Sequence, residues 1–211
     1  MALPAANAPR VAEFMAASPE TLGLLLLEAD LHGRRLERSA QLAAVADALA
    51  DGAATARDLQ ERFPGRTPGE LARELHVPIE TTDDDPMVGS ILRFAEYHPR
   101  PPHIVLYNRG LAPLEAMLVG TMATRLLGRA TPRDVFVAHE LYHHAEAIRS
   151  ETPIARRHRP TLFRIGNWHW RSGIPALAEI AAGAFAQSLL DLPCHPKVLD
   201  FAAVDAISIG S

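Results

Sequence analysis

Val135-Phe136-Val137-Ala138-His139-Glu140-Leu141-Tyr142-His143-His144 carries the spacing His-Glu-x-x-His inside a run that reads as helix. On an α-helix, His139 and His143 project from the same face, so their imidazole nitrogens can converge on one metal ion. Glu140 lies about 100° round from His139, close enough to reach water at that ion. The pattern therefore supplies two zinc ligands and a general base. A tetrahedral catalytic zinc requires one more protein ligand and an open position. Val135, Phe136, Val137, Leu141 and Ile148 imply a largely buried helix. There, two imidazoles and a carboxylate are costly unless paired or metal-bound. That context favours a metal site over chance placement of three polar residues.

Thr131-Pro132-Arg133-Asp134 opens this helix well, with threonine as cap and proline at the first position. Glu146 follows on the same face as the histidines. It is a poor third ligand, because seven residues of helical rise is about 10 Å and one ion cannot span that. A second element must complete the site. Ile174 to Leu192 reads as another buried helix, with Glu179 set among Ala, Ile, Leu and Phe. A lone carboxylate there needs a metal or a cation. The competing reading is an ion pair between Glu179 and one of Arg156, Arg157, Arg164 or Arg171. His158 and His169, in the connection between the two helices, are rival third ligands. The segment Asn167-Trp168-His169-Trp170 is expected to be pinned to the core by its tryptophans.

The 211 residues suffice for one large domain or a core domain with an extension, and 48% hydrophobic residues can build a sizeable core. A net charge of -4 gives no general attraction to nucleic acid or to an anionic membrane. The one cysteine, Cys194, excludes an internal disulfide framework and a cysteine-built zinc site. Met1 to Ala17 lacks an apolar core of signal-peptide length, so the expected location is the cytoplasm.

Ser18-Pro19-Glu20 marks a helix start, with a stop near Gly33. A second helix is expected from Arg35 to Leu49, its stripe including Leu36, Leu42, Val45 and Leu49, closed by Asp51-Gly52. These form a helix hairpin, an N-terminal extension over 1–53, ahead of a main domain over 54–211. Ala54 to Leu75 predicts two short helices, the second opened by the capping box Thr67-Pro68-Gly69-Glu70. Its arginines are balanced by acids, so a helix-turn-helix contact with DNA is not expected. His32, His76 and His98 are isolated, and the acidic turn Asp83-Asp84-Asp85 reads as solvated. Strands are expected at Val77–Thr81, Ser90–Tyr97 and His103–Tyr107, making a small antiparallel sheet whose edge could hold an extended peptide. Leu111 to Leu127 reads as a core helix interrupted at Gly120 and ended by Gly128, not as a membrane span. The class is α+β: a mostly helical zincin-like domain with a small three-stranded sheet and a helical N-terminal extension.

Two stretches resemble the ImmA/IrrE metallopeptidases. The second motif of that family is matched by Glu179-Ile180-Ala181-Ala182-Gly183-Ala184-Phe185-Ala186, then Leu189-Leu190 and Pro193. Thr67-Pro68-Gly69-Glu70-Leu71-Ala72-Arg73-Glu74-Leu75 followed by strands looks like the family's opening helix and sheet. The likeness covers roughly residues 55 to 195. Departures are Tyr142 where the family usually has glycine, Gly183 where it often has asparagine, a proline one residue late and a long helix before the metal helix. The resemblance implies His139, His143 and Glu179 as zinc ligands and Glu140 as base. It implies a zinc-dependent peptidase acting on a peptide or protein substrate, with a regulatory intracellular target. The alternatives are a regulatory binding domain with a structural or vestigial zinc, and a metal-free helical domain in which Glu179 pairs with arginine. For the group that stabilises the oxyanion, His169, His144 and Tyr142 remain open.

Overall fold

The computed structural model describes residues 14–89, 91–165 and 168–199, and of 162–171 the backbone alone. Most of the N-terminal stretch read for a leader, Asn167, and the side chains of Arg164, Trp168, His169, Trp170 and Arg171 lie outside the described residues. The fold is α+β, with helices around one core and, among the described residues, three small sheets.

Helix α1 (Pro19–Ala29) starts as its sequence dictates: the Ser18 hydroxyl accepts the Thr21 N–H at 3.2 Å, with Pro19 in the first turn. Asp30 ends it. One carboxylate oxygen of Asp30 accepts the N–H groups of His32 and Gly33. The other accepts the Ala176 N–H at 3.2 Å, tying α1 to the start of the last helix.

Helix α2 (Arg38–Arg62) overturns the expected stop at Asp51-Gly52 and runs straight through residues 53 and 54. Gly52 serves close approach instead of termination. A Cβ built on it would lie 2.0 Å from the carbonyl oxygen of Ala181 on the last helix. Ala44, Ala48, Gly52 and Ala56 recur every four residues and are all buried. They form a smooth ridge that lets a second backbone come close. Leu42, placed in the apolar stripe by sequence, is exposed.

Helix α3 (Pro68–Glu74) has the predicted capping box: Thr67 Oγ1 accepts the Glu70 N–H, and Glu70 Oε2 accepts the Thr67 N–H. The main sheet contains β1 (Ile79–Thr82), β4 (Ala95–Pro99) and β5 (Pro102–Tyr107), in the order β1-β5-β4. It is mixed, not antiparallel as expected. β4 and β5 form a hairpin, whereas β1 pairs parallel to β5. The expected strand 90–97 is divided, because Arg93 turns back to give its N–H to Pro86 O at 2.9 Å. Ile91–Leu92 (β3) therefore leaves to pair with Met87–Val88 (β2) as a separate ribbon. That ribbon carries the chain across to the far side of the sheet, so β1 and β5 run in the same direction.

The expected helix over 111–127 is two, α4 (Asn108–Met117) and α5 (Gly120–Leu127), broken at Leu118-Val119 with Gly120 at φ +61°. Among the described residues no helix is long and apolar enough to cross a membrane. Then come α6 (Pro132–Ile148), the short α7 (Ile154–Arg157), the hairpin β6–β7 (Thr161–Ile165 and Trp168–Arg171) and α8 (Pro175–Leu190). Helices α2, α6 and α8 share one buried cluster, including Leu59, Leu141, Ile180 and Phe185. β4 lies over α6, where Phe94 stacks on Phe136 with centroids 4.4 Å apart.

Candidate metal centre

Helix α6 brings the two histidines to one face. Thr131 and Asp134 cap its start reciprocally, with Pro132 at the first position. Its far end is fixed by a buried polar cluster. The Tyr142 hydroxyl donates to Asp51 Oδ2 at 2.7 Å, and Asp51 also accepts Arg149 Nη2 at 2.9 Å and Arg157 Nη2 at 2.6 Å. One carboxylate of α2 thus holds α6 and α7 together.

Helix α8 supplies the third group. Glu179 Oε2 lies 3.2 Å from His139 Nε2, and Glu179 Oε1 lies 3.6 Å from His143 Nε2. Three donors held at about 2.1 Å around one tetrahedral ion stand roughly 3.4 Å apart, so these separations fit. His139, His143 and Glu179 together form a group that could hold a metal ion.

One expectation about Glu179 changes. Its carboxylate is 54% exposed rather than buried, since α8 turns it toward a cleft while its neighbours on the helix face the core. Nor does Arg157 pair with it: that guanidinium belongs to Asp51 and Asp47. His158 is no ligand either, because its Nε2 pairs with Asp47 at 2.9 Å. The ring of His169 lies outside the described side chains.

The charges in the cluster are interlocked. Against the effect of its surroundings, which raises a carboxyl, the hydrogen bond and charge of His139 and the charge of His143 hold Glu179 down at about 2. Burial, with His139 beside it, lowers His143 to about 4. His143 is thereby kept neutral, the form that binds a metal. Burial pushes Glu140 up to about 7, and the nearby Glu179 charge adds to this. Glu140 Oε2 accepts the backbone N–H of Tyr97 at 2.9 Å, so the edge strand β4 orients it.

His139, Glu140 and Glu179 line a cleft of about 230 Å³. That is below the size of drug-holding pockets, about 300–1,000 Å³, and suits a side chain or a chain crossing the surface. Phe94 and Ala95 of the sheet region form one wall, and Leu26 of α1 contributes to another. Helix α1 is therefore part of the site.

Two candidates for stabilising an oxyanion are excluded by position. Tyr142 is fully buried with its hydroxyl committed to Asp51. His144 is buried with Nδ1 3.0 Å from the Tyr97 hydroxyl, away from the cleft. Sequence reasoning missed His195, which is 3% exposed and lines the cleft. Burial lowers it to about 4, so the ring is neutral. The signal was Gly183, one turn after Glu179 on the same helix face. A Cβ there would meet the His195 ring at 2.5 Å.

Comparison with known protein families, with curated proteins and with solved structures gives no match to this chain.

Proposed function

We propose that this chain is a zinc-dependent peptidase. The observation that carries the reading is the convergence of His139, His143 and Glu179 from two helices, with Glu140 beside His139 on α6 and held by the Tyr97 N–H of the edge strand β4. Two imidazoles and a carboxylate are a donor set that suits zinc, and they leave room for a further position. A zinc ion held there supplies a Lewis acid that polarises a carbonyl and lowers the pKa of water.

The chain's own residues supply the rest. Glu140, raised to about 7, is poised to accept a proton from water and return it to the leaving amine. The Tyr97 N–H fixes the carboxylate while leaving its other oxygen for that exchange. β4, at the edge of its sheet, offers backbone groups to an extended peptide lying across the cleft. That mode of binding makes little demand on side-chain identity. The resemblance to regulatory metallopeptidases makes an intracellular regulatory protein the favoured substrate class.

The test is Glu140→Gln, which keeps the shape and removes the base. Metal content should stay near that of the unaltered protein, and hydrolysis of a peptide library read by mass spectrometry should fall at least a hundredfold. Full activity in the variant would show that the base is another group. No hydrolysis by the unaltered, metal-loaded protein would favour a binding role for the same site.

A further inference from the structure

We propose that His195 donates a hydrogen bond through Nε2 to an anionic oxygen of the substrate at the metal site, acting as the oxyanion-stabilising residue. The inference rests on the metallopeptidase reading and adds to it a group that neither motif contains.

The tautomer follows from geometry. The backbone N–H of Lys197 donates to His195 Nδ1 at 3.2 Å, so Nδ1 is the acceptor and the ring proton sits on Nε2. Nε2 is buried and has no hydrogen-bond partner among the described residues. Such a donor calls for an acceptor that the described residues do not supply. The ring also has a defined seat on α8. It fills the space a Gly183 side chain would take, with Nε2 2.6 Å from that Cβ position. A helical Cα–Cβ bond tilts toward the N-terminus, which on α8 is the side of Glu179. His195 and Glu179 line the same cleft.

The mounting is rigid. Cys194 Sγ donates to Leu126 O at 3.4 Å, and the following turn is closed by Val198 N–H to His195 O and Leu199 N–H to Pro196 O. Val198 and Leu199 are buried anchors. A donor held in this way loses little freedom when an anion arrives, which is the condition for effective oxyanion stabilisation. Arg93, which also lines the cleft with a buried unbonded nitrogen, is drawn elsewhere. Its Nη1 bonds Glu96 at 2.7 Å and its guanidinium lies over the Tyr107 ring at 4.4 Å. His195 lies outside the group of converging metal donors, which separates its role from ligation.

The test uses the cobalt-loaded full chain and acetohydroxamate, with affinity read from the cobalt visible spectrum and metal affinity measured separately. His195→Phe should weaken acetohydroxamate about tenfold to a hundredfold, the worth of one hydrogen bond to a charged oxygen. Metal affinity should change less than about threefold. His195→Gln, which retains an N–H donor, should recover part of the loss. Gly183→Ala, which pushes the ring from its seat, should reproduce the loss and serves if the Phe variant does not fold. Unchanged acetohydroxamate affinity in both the Phe and Ala variants would overturn the proposal, and a tenfold drop in metal affinity would make His195 a ligand instead. Failure of the unaltered chain to bind cobalt would remove the metal reading and this inference with it. Binding with no peptide hydrolysis would remove peptidase activity alone.

Discussion

Replacing Gly52 by alanine tests whether the close packing of α2 on α8 builds the metal site. The added Cβ would lie 2.0 Å from Ala181 O and 2.9 Å from Phe185 N. Both are backbone atoms of a packed helix, so no side chain can swing aside. Ordinary contact begins at 3.4 Å, so the two helices must part by roughly 1.4 Å. Overpacking of this kind costs about 3 kcal/mol at the upper end of its usual range. Alanine returns about 1 kcal/mol through its better helix propensity. The net loss is about 2 kcal/mol, or a fall in Tm of about 4–8 °C for a chain of this size. Because Glu179 rides on α8, the same movement widens the 3.2 and 3.6 Å gaps to the histidines, and metal affinity should fall tenfold or more. Gly69→Ala is the control. Gly69 lies in α3 with nothing within 4 Å of its Cβ position, so that change should raise stability by about 0.5–1 kcal/mol. Thermal unfolding of the three proteins decides the matter. A Gly52→Ala protein as stable as its parent, with unchanged metal affinity, would show that the close approach of α2 to α8 does not build the site.

The Asp51 cluster gives a pH prediction. Burial raises the Asp51 carboxyl, but hydrogen bonds and charge from Arg149, Tyr142 and Arg157 outweigh it and leave the group below its ordinary value. A depressed carboxyl stabilises the fold above its unfolded value of about 3.9, and that contribution fades as pH falls through the folded value. Denaturant titrations should therefore show stability lost in acid below about pH 4, and lost less steeply in Asp51→Asn. At neutral pH, Asp51→Asn should itself cost about 2–4 kcal/mol, since the part-buried Arg149 loses its Asp51 counter-charge and Arg157 is left with Asp47 and the exposed Glu151. Thr131→Ala removes half of the capping box of α6 and should cost about 1 kcal/mol in the same assay.

The two halves of the candidate site differed in how far sequence exposed them. The histidines and Glu140 sit within one helical turn, where spacing alone fixes direction, and the caps at Thr131 and Thr67 announced helix starts that the structure repeats. Glu179 was found because a carboxylate in an apolar helix demands a partner, though the carboxylate faces a cleft and is not buried. Gly52 misled, because glycine marks both helix ends and close helix contact, and only the four-residue run of small residues separates the two. The sheet direction was illegible because it depends on where the 83–94 connection crosses, a tertiary matter. His195 escaped because its seat is made by the absence of a side chain at Gly183, which periodicity does not register.

The most direct test of the central claim is elemental analysis of the purified, untagged protein beside a His139→Ala, His143→Ala variant. About one zinc per chain is expected in the first, lost in the second while the fold is kept. No metal in either protein, with the chain still folded after chelation and no uptake when zinc is returned, would contradict that claim.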